Sequence, residues 1–452
     1  MFVLVALLHA ALPLQAVPAD SLDVVAAPEA PGYEAPPPEA ALPEAALPEA
    51  AASEAEASQP RPPDARADEE PGIDVRPRLA PSALYSENRG FGIGAGVGVR
   101  NLLWTGTDLT FDLRLQQQQQ GAALTFFTHD PYSTRLHGLV SVSGFTTERR
   151  RYFGLGPDTD TDDELSLFRD AAQVEARLGW YPLDSSVLYV QPGIRYLRDA
   201  SAGVNEDASD GSLEALDPAS QAAVTSAGGD TRHGLSLGLE VATDLRDWPS
   251  YPTEGVYAAV EYRRFVALVG SDLSLDHYSG SWIGYLPLNG RTALVGRGVG
   301  ALTRSGDGDG DGVSDPIPFF YLPTLDAGLA TPYQRDRLTG RDVVAFGAGV
   351  RLPVVDALGV YGLDALLMGF VGNAYDDVFE QFEPRLSFRD TVDPSENGRA
   401  PLRPSLAIGL GIVNLDKERV VLGGLLGVGP GGITAATLRV AYDLRDARPL
   451  FR

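Results

Sequence analysis

The chain has no cysteine, which excludes a disulfide framework, thiolate-ligated zinc or iron–sulfur clusters, and a thiol nucleophile. Five histidines in 452 residues leave little material for a His-rich metal site. Positive charge is scarce, with 36 Lys+Arg against 61 Asp+Glu and a net charge of -25, so no basic surface is available to neutralise nucleic-acid phosphates. After the first 16 residues no apolar run reaches the ~18–20 residues of a membrane-spanning helix. The richest run, 357–371, is broken by Asp364. His-Glu-x-x-His and Gly-x-Ser-x-Gly are missing, and the Gly-rich runs precede strand-like segments, so zinc-protease, serine-hydrolase and dinucleotide-loop readings fall away and no enzyme is expected.

What is present divides by region. Residues 1–19, MFVLVALLHAALPLQAVPA, read as a signal peptide with small-residue ends at Ala16 or Ala19, although a basic leading segment is lacking. Residues 20–76 are dominated by Ala, Pro and Glu, with Ala-Leu-Pro-Glu-Ala repeated in tandem at 41–50. Such a segment cannot bury enough apolar surface to offset backbone entropy, so a disordered periplasmic linker is expected. It holds 14 acids and 3 arginines, close to half of the net charge.

From residue 77 to 452 the apolar pattern has period two. Leu109, Phe111, Leu113 and Leu115 alternate with Thr110, Asp112, Arg114 and Gln116, and Val174, Ala176, Leu178 and Trp180 alternate with Gln173, Glu175, Arg177 and Gly179. This is the signature of strands with two unlike faces. Sixteen such strands are expected, at about 78–86, 90–100, 107–116, 121–129, 135–147, 169–181, 186–198, 232–244, 255–266, 274–286, 291–303, 341–353, 357–371, 404–414, 418–427 and 433–444. The long connections (148–168, 199–231, 304–340 and 372–403) all follow odd-numbered strands, and the connections after even-numbered ones are short. A transmembrane antiparallel β-barrel with short periplasmic turns and long external loops predicts this parity. Trp104, Trp180, Trp248 and Trp282 are expected near strand ends as interface anchors.

Several segments resemble the bacterial surface-antigen family, the barrel domain of BamA/TamA-like outer-membrane assembly proteins. Tyr152-Phe153-Gly154-Leu155-Gly156-Pro157-Asp158-Thr159 is similar to the family's F-G-L-G-N-D-T stretch. Asp244-Leu245-Arg246-Asp247 with Tyr251-Pro252-Thr253-Glu254-Gly255 is similar to its D-x-R-D followed by P-T-x-G. The resemblance implies a bacterial outer-membrane barrel that assists insertion or export of proteins. It implies a weak seam between first and last strands, with outer-membrane lipid, client outer-membrane proteins or a POTRA-bearing periplasmic protein as partners. Residues 20–76 stand where members carry POTRA modules. The stretch corresponding to the family's inward sixth loop reads Thr331-Pro332-Tyr333 in place of its Arg-Gly motif, leaving Arg335, Arg337 and Arg341 as candidate lumenal charges. The residues also leave open a second function, a passive channel or structural barrel displaying acidic loops.

Two further expectations concern sites. Asp307, Asp309, Asp311 and Asp315, with Gly312 at the turn, have the alternate-residue oxygen spacing that hard cations require, so possible Ca2+ is set against a solvated acidic loop. Arg246 is expected to pair with Asp244 or Asp247 in a structural role.

Overall fold

A computed structural model describes residues 80–441 apart from 87–89, 101, 104–106, 131–132, 158, 160–163, 183–187, 229–230, 248–250, 270–272, 308–313, 326–331, 334–336, 358–360, 390–397, 416–418 and 430–431. The leader and linker read from residues 1–76 therefore lie outside the described residues. Sixteen long strands form the wall: β1 (Ala80–Ser86), β2 (Gly90–Arg100), β3 (Thr107–Gln116), β4 (Gln119–Asp130), β5 (Ser133–Tyr152), β6 (Leu165–Trp180), β7 (Leu188–Val204), β8 (Arg232–Asp244), β9 (Gly255–Val269), β10 (Ser274–Asn289), β11 (Thr292–Ser305), β12 (Asp342–Ala357), β13 (Tyr361–Tyr375), β14 (Ala400–Asn414), β15 (Arg419–Gly429) and β16 (Gly432–Ala441). Each pairs antiparallel with the next, and β1 pairs with β16, so the sheet closes on itself. Closure leaves no open edge, the condition for crossing a bilayer with strands.

The side chains follow the alternation into an inverted arrangement. On β6, Gln173 and Glu175 are buried while Leu178 and Trp180 are among the exposed large apolar residues. On β8, Ser236 is buried and Leu237 and Leu239 are exposed; on β14, Ser405 is buried and Leu406, Ile408 and Leu410 are exposed. An apolar exterior around a polar interior is stable only where lipid replaces water outside. No described helix is long and apolar enough to cross a membrane, which leaves the strands as the spanning elements.

The lumenal wall is itself divided. On β6 to β9 it carries Glu175, Arg177, Arg195, Glu240, Glu261 and Arg263, whereas on β11 to β13 it carries Val295, Val299, Val343, Leu366, Met368 and Phe370. The apolar sector is covered from inside by the connection after β11, whose Leu325, Tyr333 and Leu338 join the same buried cluster.

Strands extend beyond the expected limits on the side of the long loops. β5 continues to Tyr152, β6 begins at Leu165 and β7 runs to Val204. The connection after β7 carries an eight-residue helix, α1 (Pro218–Thr225), too short to be signalled by 3.6-residue periodicity. Its sequence signal is instead Asp217-Pro218: the Asp217 carboxylate accepts from the amides of Ala219 (2.8 Å) and Ser220 (3.0 Å), and Pro218 occupies the first turn. Trp180 ends β6 as expected. Trp282 corrects its expectation: it stands inside β10, its indole lying where side chains on Gly296 and Gly298 would be, because glycines on the neighbouring strand leave room for it.

Candidate functional site

Three groups of residues close or brace the lumen. The first is the turn from β8 to β9. Arg246 pairs with Asp244, with Nη2 2.5 Å and Nε 2.7 Å from the carboxylate, and its guanidinium lies 5.1 Å from the centre of the Tyr257 ring. This resolves the alternative in favour of Asp244. Asp247 accepts instead from the amides of Thr253 (2.9 Å) and Glu254 (3.1 Å) and from the Thr253 hydroxyl (2.5 Å), an arrangement that folds the turn around one carboxylate. Gly255 has φ +98, and a Cβ there would lie 2.1 Å from the Leu245 carbonyl oxygen, so the motif's glycine is a steric requirement. Pro252 follows Tyr251, which is carried across the barrel mouth: its hydroxyl donates to Asp364 on β13, and Arg351 on β12 lies 4.1 Å from its ring centre. Burial pushes the Tyr251 phenol above its ordinary pKa, opposed by the Arg351 charge. Asp364, the residue that broke the apolar run of β13, is held on its other side by Arg291 at 3.3 Å.

The second group forms a dome over the opposite mouth. Phe153 is buried beneath the Arg151 guanidinium, which itself pairs with Glu164 at 2.5 Å. Gly154 and Gly156 adopt φ +101 and +84, turning the chain so that successive amides meet different neighbours. The Leu155 amide donates to Ser220 of α1 (2.7 Å), and the Gly156 amide donates to the Thr339 carbonyl of a short hairpin, Thr324–Leu325 with Leu338–Thr339 (2.8 Å). Arg403 of β14 donates to the Pro157 carbonyl. The five residues 153–157 thus join the connection after β7, the connection after β11 and the wall.

The inward connection after β11 is fastened at two more points. Tyr333 is buried, its hydroxyl donating to the Arg403 carbonyl (2.7 Å), while Ser405 donates to the Pro332 carbonyl (3.2 Å); burial raises the Tyr333 phenol far above its ordinary pKa. Phe319-Phe320-Tyr321, which the sequence reading passed over, anchors the other arm. Arg169 on β6 sits 4.1 Å from the centre of the Phe320 ring and pairs with Asp199 on β7 (2.7 Å), and the Tyr321 hydroxyl donates to the same Asp199 (2.9 Å). An aromatic triplet inside an Asp/Gly-rich connection was the available signal. Of the candidate lumenal charges, Arg337 is buried, Arg341 is partly exposed with its carbonyl accepting from the Thr303 amide (2.7 Å), and Arg335 lies outside the described residues.

The third group is a lumenal charge belt. Glu175 accepts from Arg177 (3.0 Å), Arg195 (3.0 Å) and Arg263 (3.5 Å); Arg177 also faces Glu240 (3.6 Å), and Arg263 pairs with Glu261. Removing one partner from such a network leaves uncompensated buried charge, at about 3–5 kcal/mol.

Of the candidate cation ligands, Asp309 and Asp311 lie outside the described residues. Asp307 and Asp315 flank the base of their loop, where the Asp315 amide donates to the Gly306 carbonyl (2.9 Å) and Ser305 donates to the Asp315 carbonyl (2.6 Å).

Residues 101–362 match the Omp85 superfamily domain, more than half of the chain. The chain belongs to the Omp85 superfamily. Among solved structures, BamA from Haemophilus ducreyi lacking POTRA domains 1–3 superposes with a TM-score of 0.53 at 15% identity, over 81% of this chain and 70% of that one. CdiB from Escherichia coli gives 0.48 at 10% identity, over 83% and 68%. At these identities the likeness concerns the fold. No curated protein matches. Family and fold together make this Omp85 protein a β-barrel of the bacterial outer membrane.

Proposed function

We propose that this Omp85 barrel assists the insertion of proteins into the outer membrane, or their export across it, by letting a client strand pair at the seam between β1 and β16. One observation carries the reading. Among the described residues the seam runs only from Ser82 opposite Ala441 to Ser86 opposite Thr437, five paired positions, whereas β12 and β13 pair at fifteen. At about 0.5–1.5 kcal/mol net per hydrogen bond, this is the least closure between neighbouring wall strands among the described residues. An opened seam presents unpaired amides and carbonyls to lipid, a state that an incoming strand relieves by edge pairing. The motif segments support the same reading by bracing both mouths, through Tyr251 on Asp364 at one and Leu155, Gly156 and Pro157 at the other.

The absence of native cysteine makes the test clean. Leu84 and Arg439 are register partners across the seam, and Leu367 and Ile408 are register partners across β13 and β14. Cysteines at either pair meet the spacing a disulfide requires. Oxidising Leu84→Cys/Arg439→Cys is expected to deplete clients from the outer-membrane proteome, and reductant to restore them. The pair at 367 and 408 is expected to have no effect. A seam-locked barrel that leaves the proteome intact overturns the proposal and favours a passive channel, whose conductance the lock would not alter.

A further inference from the structure

On the outside of the wall, β4 to β7 form a groove of about 420 Å3. Its construction follows from the register. Phe126, Val140, Ala176 and Ile194 lie side by side across the four strands as successive partners, and the next row toward the strand ends has Thr128 beside Gly138 and Gly138 beside Leu178. Two of these positions are small. Gly138 and Ala176 form a floor, and Phe126 on one side with Leu178, Pro192 and Ile194 on the other stand as banks.

The groove's surroundings fix what can fill it. Of its lining residues only Thr128 and Arg177 are polar, and the Arg177 guanidinium is taken up by Glu175 and Glu240 of the lumenal belt; an ordered water needs two to four polar partners, so water is a poor occupant. The face is continuous with the lipid-facing wall: Leu124 and Val140 beside it and Leu237 and Leu239 beyond it are exposed apolar side chains. The row below the groove is Leu136 opposite Trp180, at the ends of strands joined by the short even-numbered turns, so the groove opens at the level of the periplasmic leaflet. We propose that it holds one acyl chain of a periplasmic-leaflet phospholipid, making β4 to β7 a lipid-binding site separate from the seam and the lumen.

Because lipid tails are as apolar as the lining, the attraction comes from dispersion contacts that a straight bulk chain cannot make with a flat wall. Filling the groove should therefore abolish it without touching the lumen. The barrel, extracted from native membranes in mild non-ionic detergent, would be examined by native mass spectrometry, with folding checked by heat-modifiable mobility. The unsubstituted protein is expected to retain one phospholipid per barrel. Ala176→Leu is expected to reduce retention about tenfold, equivalent to roughly 1.4 kcal/mol, and Gly138→Val to act in the same direction should the first variant fold poorly. Gly144→Leu is the control, on the same strand and face with nothing within 4 Å of the added Cβ and outside the groove. As a second readout, a variant with Trp180 as its sole tryptophan should be quenched by phospholipid brominated along its chain, and less so after Ala176→Leu. The proposal is overturned if the unsubstituted barrel carries no lipid, if Gly144→Leu and Ala176→Leu lose it equally, or if a polypeptide co-purifies on this face and is displaced by Ala176→Leu.

Discussion

Replacing Gly255 by alanine tests how the β8–β9 turn is held. The backbone there has φ +98, where an L-residue is strained by about 1–2 kcal/mol. The new Cβ would also lie 2.1 Å from the Leu245 oxygen and 2.8 Å from the Arg246 Cα, both backbone atoms that cannot rotate aside. Retreat of that peptide pulls on the Leu245 amide, which donates to the Val256 carbonyl at 2.8 Å, and on Arg246, whose guanidinium is held by Asp244. Loss of one backbone bond and weakening of one charge-assisted pair adds roughly 2–4 kcal/mol. Gly255→Ala is therefore expected to lose roughly 3–6 kcal/mol in total. Gly290→Ala separates the two terms, since Gly290 also has positive φ (+53) but nothing within 4 Å of a Cβ. It should lose only the strain, roughly 1 kcal/mol. Urea unfolding of the detergent-refolded barrel, followed by tryptophan emission and compared at unchanged m, measures both. If the two variants agree to within about 0.5 kcal/mol, the crowding at Leu245 is irrelevant to stability and the account of the turn fails.

Ser220→Ala removes the acceptor of the Leu155 amide, leaving a buried donor unmatched at about 1–3 kcal/mol. The dome should loosen while the wall stays folded, read as faster protease cleavage within 205–228 on intact cells; an unchanged cleavage rate would show that α1 is held by other contacts. For the loop at Asp307, Asp309, Asp311 and Asp315, millimolar calcium is expected to raise the unfolding temperature and Asp311→Asn to remove the rise. A flat calcium titration would return the segment to a solvated acidic loop.

The wall was legible in the sequence wherever lipid lies on one side and lumen on the other, because only there does the environment enforce strict alternation. β2 and β3 match their expected limits, and β8 runs from 232 to 244 as expected. Alternation fails above the bilayer. At Glu148, Arg149, Arg150 and Arg151 both faces of β5 are wet or covered by the dome, so apolar residues no longer mark one side, and the strand was read five residues short. The motif glycines and Asp247 were visible as a resemblance, but their work was not. Arg246 has carboxylates close by on both sides, at Asp244 and Asp247, so spacing alone does not choose between them, and the reach of Tyr251 to Asp364 is a pairing 113 positions apart that no local pattern encodes. Arg169, Asp199 and Arg403 were passed over for the same reason, since each looks like one polar residue on an ordinary lumen-facing row.

The divided lumen explains one feature that alternation alone leaves unexplained. β13 carries Leu363, Ala365 and Leu367 toward lipid and Leu366, Met368 and Phe370 inward, so it reads as apolar on both faces, unlike β6. A strand apolar on both faces must be covered on both. Outside, the cover is lipid; inside, it is the connection after β11, through Leu325, Tyr333 and Leu338. The inward connection is therefore part of the fold of β11 to β13, because withdrawing it would expose a contiguous apolar lumenal face to water, at ~25 cal/mol per Å2. On the β6 to β9 side the connection is held as well, through Phe320 and Tyr321 against Arg169 and Asp199, while Glu175 and its three arginines satisfy one another within the wall. Any opening that moves the inward connection is thus resisted on both sides, by apolar burial at β11–β13 and by Arg169, Asp199 and the aromatic triplet at β6–β7, so the connection is built to stay in place.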